Sequence, residues 1–271
     1  MSETGPRQSL HAYSLLALVV LVAFAGCSGL GGQATSTPAA TTTTADAVTE
    51  SELALLPHGL SEDGVTNATL LAERHETNVV GMPGKIVMRT NASLLDRTVH
   101  ANTTATATAN LTEVAYESQG VTTGPNVSMT RSTTIMANET AIRQHVVVNG
   151  NTTLANTRNL TAGFDRALRG LTTGVNPLRG IFKRGNFTVT NITETERGHV
   201  IVLKANEYTS GKLYDAANVS DYHATVRMTA NGTVLKANEY IQGTEAANRR
   251  HYRFSFEFIP EYVNPDLRGL E

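Results

Sequence analysis

The chain has 271 residues, of which 40% are hydrophobic, 17% are charged and 6% are aromatic, and its net charge is −2. A near-neutral chain of this kind lacks the basic surplus that is typical of nucleic-acid-binding proteins. Its single cysteine, Cys27, excludes an intramolecular disulfide and a cysteine-based metal cluster.

The N-terminus has the features of an export signal. Arg7 precedes an unbroken apolar run from Leu15 to Ala25, which is too short to span a bilayer but suits the apolar region of a signal peptide. The segment Phe24-Ala25-Gly26-Cys27 resembles a lipobox, the motif that precedes the lipidated cysteine of a lipoprotein. We therefore predict a signal peptide over 1–26 and lipid attachment of Cys27 at the extracytoplasmic face of the cell membrane. An uncleaved short anchor is the alternative.

Residues 27–50 are rich in Gly, Thr, Ala, Ser and Pro and include four consecutive threonines from Thr41 to Thr44. Such a composition cannot bury a core and predicts a flexible stalk. The remaining residues, 51–271, are predicted to form a single α+β domain.

Twelve Asn-x-Ser/Thr sequons follow the stalk, about three times the number that composition alone would give, and they indicate an exported glycoprotein. The candidate N-glycosylation sites are Asn67, Asn91, Asn102, Asn110, Asn126, Asn138, Asn151, Asn159, Asn186, Asn191, Asn218 and Asn231. An abundance of Asn and Thr in turns and strands would also produce such sites without occupancy.

Helices are few in the predicted domain. Thr66 is positioned to cap a helix over about 67–78, with Val65 and Leu70 forming a hydrophobic staple. A second helix is predicted over about 161–171, and apolar residues after Pro177 continue its surface. A third, shorter helix is predicted near 213–219.

Short alternating runs separated by turn residues predict an antiparallel sheet for most of the domain. In the clearest run, His251 to Phe258, four aromatic side chains share one face. Further strands are predicted at 85–94, 98–109, 111–119, 127–136, 187–195 and 199–205. The heptapeptide Val-Leu-Lys-Ala-Asn-Glu-Tyr occurs at 202–208 and again at 234–240, which indicates two similar hairpin arms.

Two Asn-Gly pairs predict two-residue type I′ turns between strands. One is Asn149-Gly150, and the other is Asn231-Gly232. The second turn sets a register in which Met228 lies opposite Leu235, Val226 opposite Ala237 and Tyr222 opposite Ile241, all on one face. The fold class predicted from these elements is a long curved antiparallel sheet, an incomplete barrel, with two or three helices on its concave face.

The order of these features resembles that of a group of haloarchaeal predicted lipoproteins of unknown function. The matching parts are Ala25-Gly26-Cys27-Ser28-Gly29, the Thr-rich stalk, the segment from Leu56 to Thr66 that leads into a helix, and the hairpin from Val226 to Val234. That group is similar to the LolA-like lipoprotein-carrier fold and to the related mycobacterial lipid-binding lipoproteins.

The resemblance implies an apolar cavity for acyl chains between the sheet and the helices. The residues that would line or border it are Phe164, Leu168, Ile181, Phe182, Val226, Met228, Phe254, Phe256 and Phe258. The alternative is that these side chains form an ordinary core, because alternating aromatic residues on a strand are usually core.

The sequence contains no nucleophile-elbow, phosphate-loop or zinc-protease motif. We therefore expect no enzymatic activity, no metal site, no cofactor and no nucleic-acid partner, and protein partners are not predicted. The function expected is that of a membrane-anchored lipoprotein that binds a lipid or another apolar molecule. The alternative is a surface structural or interaction glycoprotein with a filled core and no ligand.

Overall fold

The computed structural model describes residues 53–94, 96–159, 162–196, 198–210, 218–245, 248–261 and 263–268. The predicted signal peptide, Cys27 and the predicted stalk lie outside the described residues. A short antiparallel pair, β1 (Leu60–Ser61) and β2 (Gly64–Val65), precedes helix α1 (Ala68–Val80).

Helix α1 begins one residue later than predicted. Asn67, rather than Thr66, caps it: the Asn67 side chain accepts a hydrogen bond of 2.9 Å from the Leu70 amide. The shift buries Leu71 completely and leaves Leu70 at the surface. A hydrophobic staple uses the fourth residue of the helix after the cap. With Asn67 as the cap, that residue is the buried Leu71 and not the exposed Leu70, so the predicted staple between Val65 and Leu70 is wrong.

Eleven strands form one antiparallel sheet. They are β3 (Gly84–Leu94), β4 (Arg97–Ala107), β5 (Glu113–Gly124), β6 (Val127–Asn138), β7 (Ala141–Val148), β8 (Asn151–Asn159), β9 (Thr188–Thr195), β10 (Gly198–Ala205), β11 (Val219–Thr229), β12 (Val234–Glu245) and β13 (Asn248–Pro260). Their order is β8-β7-β6-β5-β4-β3-β13-β12-β11-β10-β9. Two meanders, β3 to β8 and β9 to β13, thus meet where β3 pairs with β13.

Two further helices, α2 (Ala162–Thr173) and α3 (Val175–Arg184), connect the edge strands β8 and β9 across the sheet. Helix α1 contacts both of them, and α2 contacts β4 and β5. The sheet does not close into a barrel, and the predicted α+β class is confirmed. None of the helices in the described ranges has the length and apolarity needed to cross a bilayer.

The apolar residues after Pro177 are predicted only to continue the surface of the second helix. In the structure they belong to a separate helix, α3, which begins at Val175. Pro177 lies in its first turn, where the missing amide hydrogen has no intrahelical partner to lose. Of the predicted third helix, residues 213–217 lie outside the described residues, and Val219 is the first residue of β11.

The two Asn-Gly pairs form different turns. Asn149 and Gly150 both have positive φ, 50° and 79°, as a two-residue type I′ turn requires, and Val148 pairs with Asn151. Asn231 does not have positive φ, and only Gly232 does, at 92°.

The second hairpin instead closes with a three-residue loop. The Gly232 amide donates to the Thr229 carbonyl at 2.9 Å, and the Thr229 amide donates to the Thr233 carbonyl at 2.9 Å. The added residue shifts the pairing next to the loop, so Met228 pairs with Val234 and the predicted pairing with Leu235 is wrong. An irregularity between Arg227 and Met228 restores the register, and the predicted pairs Val226 with Ala237 and Tyr222 with Ile241 are confirmed. This arrangement is the type I turn followed by a left-handed glycine that longer hairpin loops favour.

The two copies of the heptapeptide lie on either side of β11. The copy at 202–208 begins in β10 and continues past its end, and the copy at 234–240 lies within β12. They pair with the same strand but have different surroundings. The glutamate of the first copy, Glu207, is exposed, whereas that of the second copy, Glu239, is 3% exposed.

We call the face of the sheet that packs against the helices the inner face. The alternation of β13 places Tyr252, Phe254, Phe256 and Phe258 there, all buried, which confirms the predicted strand and its buried face. Side chains from the helices and from both meanders join in one continuous hydrophobic cluster. The core therefore lies between the inner face and the helices.

Candidate functional site

The inner face and the helices packed on it contain the residues predicted to line an apolar cavity, and the side chains of eight of the nine are described. All eight are buried, the most exposed of them, Phe254, at 6%. The eight are Leu168, Ile181, Phe182, Val226, Met228, Phe254, Phe256 and Phe258. They pack together in the hydrophobic cluster as core residues. The side chain of Phe164 lies outside the described residues.

His75 fastens α1 to this core and is fully buried. Its Nδ1 accepts a hydrogen bond of 3.0 Å from the Val234 amide, so its Nε2 carries the proton and donates to the Thr173 carbonyl at 2.8 Å. The edges of Phe256 and Phe258 also meet its ring. Burial lowers the pKa of His75 to about 4, so the ring is neutral at physiological pH.

A buried ion pair interrupts the apolar inner face at the end of α3. Arg184 donates from Nε to Glu239 Oε1 at 2.8 Å and from Nη2 to Glu239 Oε2 at 2.5 Å. The Tyr222 hydroxyl donates to Glu239 Oε1 at 3.3 Å. The guanidinium of Arg184 also lies 5.9 Å from the ring centroid of Tyr252.

The electrostatics of this cluster keep the Arg184 guanidinium charged and the Tyr222 hydroxyl neutral. Burial acts to lower the pKa of Arg184, but the Glu239 carboxylate outweighs it and raises the pKa above its usual value. Burial and the charge of Glu239 together raise the pKa of Tyr222, so its hydroxyl stays protonated and donates. The pair is a structural element with its donors and acceptors matched, and it has the geometry of a two-point charge-assisted interaction.

Burial of the inner face is less complete over the first meander. At one end of β3 to β6 the inner-face residues, such as Ile86, Ala105, Val114 and Ile135, are buried. Farther along the same strands most inner-face residues are half-buried, although Ala92 and Thr133 are buried. We call this half-buried surface the trough; it is formed by Met88, Ala101, Thr103, Ser118, Gly120 and Arg131.

The trough combines apolar and hydroxyl-bearing side chains around an open position. Thr103 and Ser118 lie opposite each other on β4 and β5, and their hydroxyls are 3.0 Å apart. Gly120 lies opposite Ala101 and Arg131, and a Cβ placed on it would meet only ordinary contacts at 3.6 Å or more. A methyl group at position 120 would therefore fit without a clash.

Arg131 is the cation of the trough. Its Nε is buried and makes no hydrogen bond within the described part of the chain. Sequence reasoning missed this residue, although a signal for it exists. The buried residues of β6 are Thr133, Ile135 and Ala137, which are every second residue after Arg131. Because alternate residues of a strand share one face, this spacing alone places a cation on the inner face.

A second, polar cavity of about 250 Å³ lies at the end of β3, β12 and β13. Its lining residues are Asn91, Tyr240, Gln242, Arg249, Arg250, His251 and Arg253. Arg253 lies 5.0 Å from the centroid of the Tyr240 ring, and His223 stacks at 4.9 Å on the same ring. The contacts with Arg253 and His223 therefore fix the position of the Tyr240 ring.

The twelve sequon asparagines are all described. Ten are exposed, and Asn91 and Asn138 are half-buried. In the described ranges, no group of three or more His, Cys, Asp or Glu side chains is arranged to hold a metal ion.

No family model and no curated protein matches the chain. Several solved structures are similar to it. LprF from Mycobacterium bovis shares 9% identity over 74% of this chain and 97% of its own, with a TM-score of 0.35. A DUF1329 family protein from Desulfovibrio piger shares 9% over 71% and 90%, with a TM-score of 0.23. MucB in complex with MucA(peri) shares 10% over 76% and 59%, with a TM-score of 0.26. Likeness at this level carries no functional inference.

Proposed function

We propose that the chain is an extracytoplasmic lipoprotein, anchored through Cys27, that binds a lipid or another apolar ligand in the trough. The observation that carries the binding proposal is the change in burial along the inner face of β3 to β6, from a filled core to half-buried side chains. The lipobox-like segment before Cys27 supports the anchor.

The chemistry of the trough suits an amphiphile. Met88 and Ala101 offer apolar contact, and Gly120, which carries no side chain, lies between Ala101 and Arg131 in the sheet. Four adjacent strands span about 14 Å at the usual strand spacing. A surface of this width accommodates part of an acyl chain, and burial of the chain would supply the binding free energy.

A second candidate function follows from the filled part of the inner face. The eight buried residues leave no exposed apolar surface of their own, as expected of a surface structural or interaction module. In that case the trough would hold only water, and the exposed faces and sequons would carry the function.

The experiment that separates these functions uses the full chain in isolated membranes. A photoactivatable hexadecanol probe is cross-linked to the wild type, to Gly120→Phe, which fills the trough, and to Val121→Phe. Val121 is the matched control because it is the next residue of β5 and points outward at 41% exposure.

Binding in the trough predicts that Gly120→Phe lowers the labelling at least tenfold while Val121→Phe leaves it unchanged, with labelled peptides from β3 to β6. Equal labelling of all three chains, or none of the wild type, would favour the module without a ligand.

The anchor is tested separately. Intact-mass measurement of the membrane-purified chain should give a chain that begins at Cys27 and carries acyl groups. A native chain that begins at Met1 with an unmodified thiol would contradict the anchor without bearing on the trough.

A further inference from the structure

Arg184 of α3 and Arg131 of the inner face have different surroundings. Arg184 is buried and makes two hydrogen bonds to Glu239. Arg131 is half-buried, and its buried Nε has no partner in the described ranges. A buried donor without an acceptor costs about 1–3 kcal/mol, so such groups are generally satisfied in the functional state.

In the described part of the chain, Arg131 makes no ion pair with a carboxylate. Its inner-face partners on the neighbouring strands are Gly120 on β5 and Val148 on β7, and Ser118 and Thr133 beside them are neutral. Tyr116 is a titratable group whose phenol interacts with the charge of Arg131. Burial raises the pKa of Tyr116 despite the opposing effects of Ser118, Thr103 and the charge of Arg131, so the phenol is neutral and supplies no counter-charge.

The same neighbours are suited to an anionic oxygen. The hydroxyls of Thr103 and Ser118 lie within hydrogen-bond distance of each other, and both interact with the Tyr116 hydroxyl, so a cluster of hydroxyls lies on the inner face beside Arg131. A guanidinium together with two hydroxyl donors binds a carboxylate or a phosphate well, because hydrogen bonds to an ionised acceptor are about twice as strong as neutral ones.

We propose that Arg131 binds the anionic head group of an amphiphile whose apolar chain lies along the trough. The inference rests on the proposed function, which supplies the apolar half of the ligand, and it adds the chemical class of the other half. Thr103 and Ser118 assist by hydrogen bonding to the same head group.

The test uses photoactivatable C16 probes that share one chain and differ in the head group: a carboxylate, a phosphate and a neutral alcohol. Each is cross-linked to the full chain in membranes at neutral pH. The wild type should be labelled by the carboxylate or the phosphate at least tenfold more efficiently than by the alcohol. The better of the two anions identifies the head group as carboxylate or phosphate.

Arg131→Gln should lower the labelling by the anionic probe about tenfold and leave the alcohol probe unchanged, a factor typical of a lost charge-assisted interaction. Arg131→Lys should retain part of the preference for the anionic probe over the alcohol. That result would show that the preference depends on the positive charge at position 131 and not on an effect of the substitutions on folding. Arg89→Gln is the matched control, since Arg89 is exposed on the outer face of β3.

The outcomes separate the two proposals. Equal labelling by all three probes, unchanged in Arg131→Gln, would overturn the head-group inference and leave the apolar site in place. Absence of labelling by every probe in the wild type would remove the proposed function itself.

Discussion

The guanidinium of Arg184 and the carboxylate of Glu239 are joined by two hydrogen bonds, although the residues are 55 positions apart in the sequence. One belongs to the last turn of α3 and the other to the inner face of β12. The crossing helices are thereby attached to the sheet at a fixed point. Because both groups are buried, the loss of one would leave the other as an uncompensated charge.

We therefore expect Glu239→Gln to destabilise the fold by about 3 kcal/mol, the usual cost of breaking a buried pair from one side. The control is Glu207→Gln, the same position of the other heptapeptide copy, where the glutamate is exposed and should change stability little. Urea unfolding of the full chain followed by circular dichroism measures both. Equal effects of the two substitutions would contradict a buried, charged Glu239.

His75 predicts a pH dependence of stability. Burial holds its pKa in the folded chain at about 4, below the 6.5 that is usual for a histidine side chain. The unfolded chain therefore takes up the proton first as pH falls. The stabilisation is fully present above pH 6.5 and is lost between pH 6.5 and 4, by roughly 3 kcal/mol in total.

The measurement is the free energy of unfolding at several pH values for the wild type and for His75→Gln, which keeps a polar side chain but does not titrate. The wild type should lose more stability than the variant over this pH range. Parallel curves would show that the ring is protonated in the folded state as well.

Asn67 serves as the cap of α1 and is also a sequon asparagine. Asn67→Asp removes the glycan acceptor but keeps a side chain that caps well, whereas Asn67→Gln removes both. We expect Asn67→Gln to be less stable than Asn67→Asp by about 1 kcal/mol in thermal unfolding. Similar stability of the two variants would mean that the Asn67 cap contributes little. Independently, a lower mass of both variants than of the wild type would show that Asn67 carries a glycan.

The loop between β11 and β12 requires a left-handed residue at Gly232, where φ is 92°. Alanine there is strained although space is available, since its Cβ would lie 3.4 Å from the nearest atom. We expect Gly232→Ala to destabilise the fold by about 1 kcal/mol or slightly more. Gly81→Ala is the control, because Gly81 has a helical φ of −76° and should tolerate alanine. Equal midpoints in urea for both variants would contradict the turn geometry.

Hydrophobic alternation was enough to predict most of the sheet, as β13 illustrates. Alternation did not predict β8, because all nine of its residues are exposed and no alternation of apolar and polar positions marks the strand. The type of turn at Asn231 was also beyond a sequence rule, because the same dipeptide forms a two-residue turn at Asn149, and only the strand pair next to the loop was predicted wrongly. The difference arises from the surrounding chain rather than from the pair itself.

The candidate site was less predictable than the fold. Alternation assigned the aromatic residues to the inner face, but it could not separate the filled core from the half-buried trough, since that depends on where α2 crosses the sheet. Two identical heptapeptides also place their glutamates in opposite surroundings, because only Glu239 meets Arg184. Such contacts form between distant segments and leave no local signal.

The open sheet gives the sequons a further significance. The edge strands β8 and β9 each pair on one side only in the described part of the chain, and an unpaired edge invites strand addition by another molecule. Asn151 and Asn159 stand at the two ends of β8, and Asn191 lies in β9. Sugar chains at these positions would shield both margins from polymerisation. The choice of expression host, through its glycosylation machinery, would then determine whether the protein stays monodisperse at high concentration.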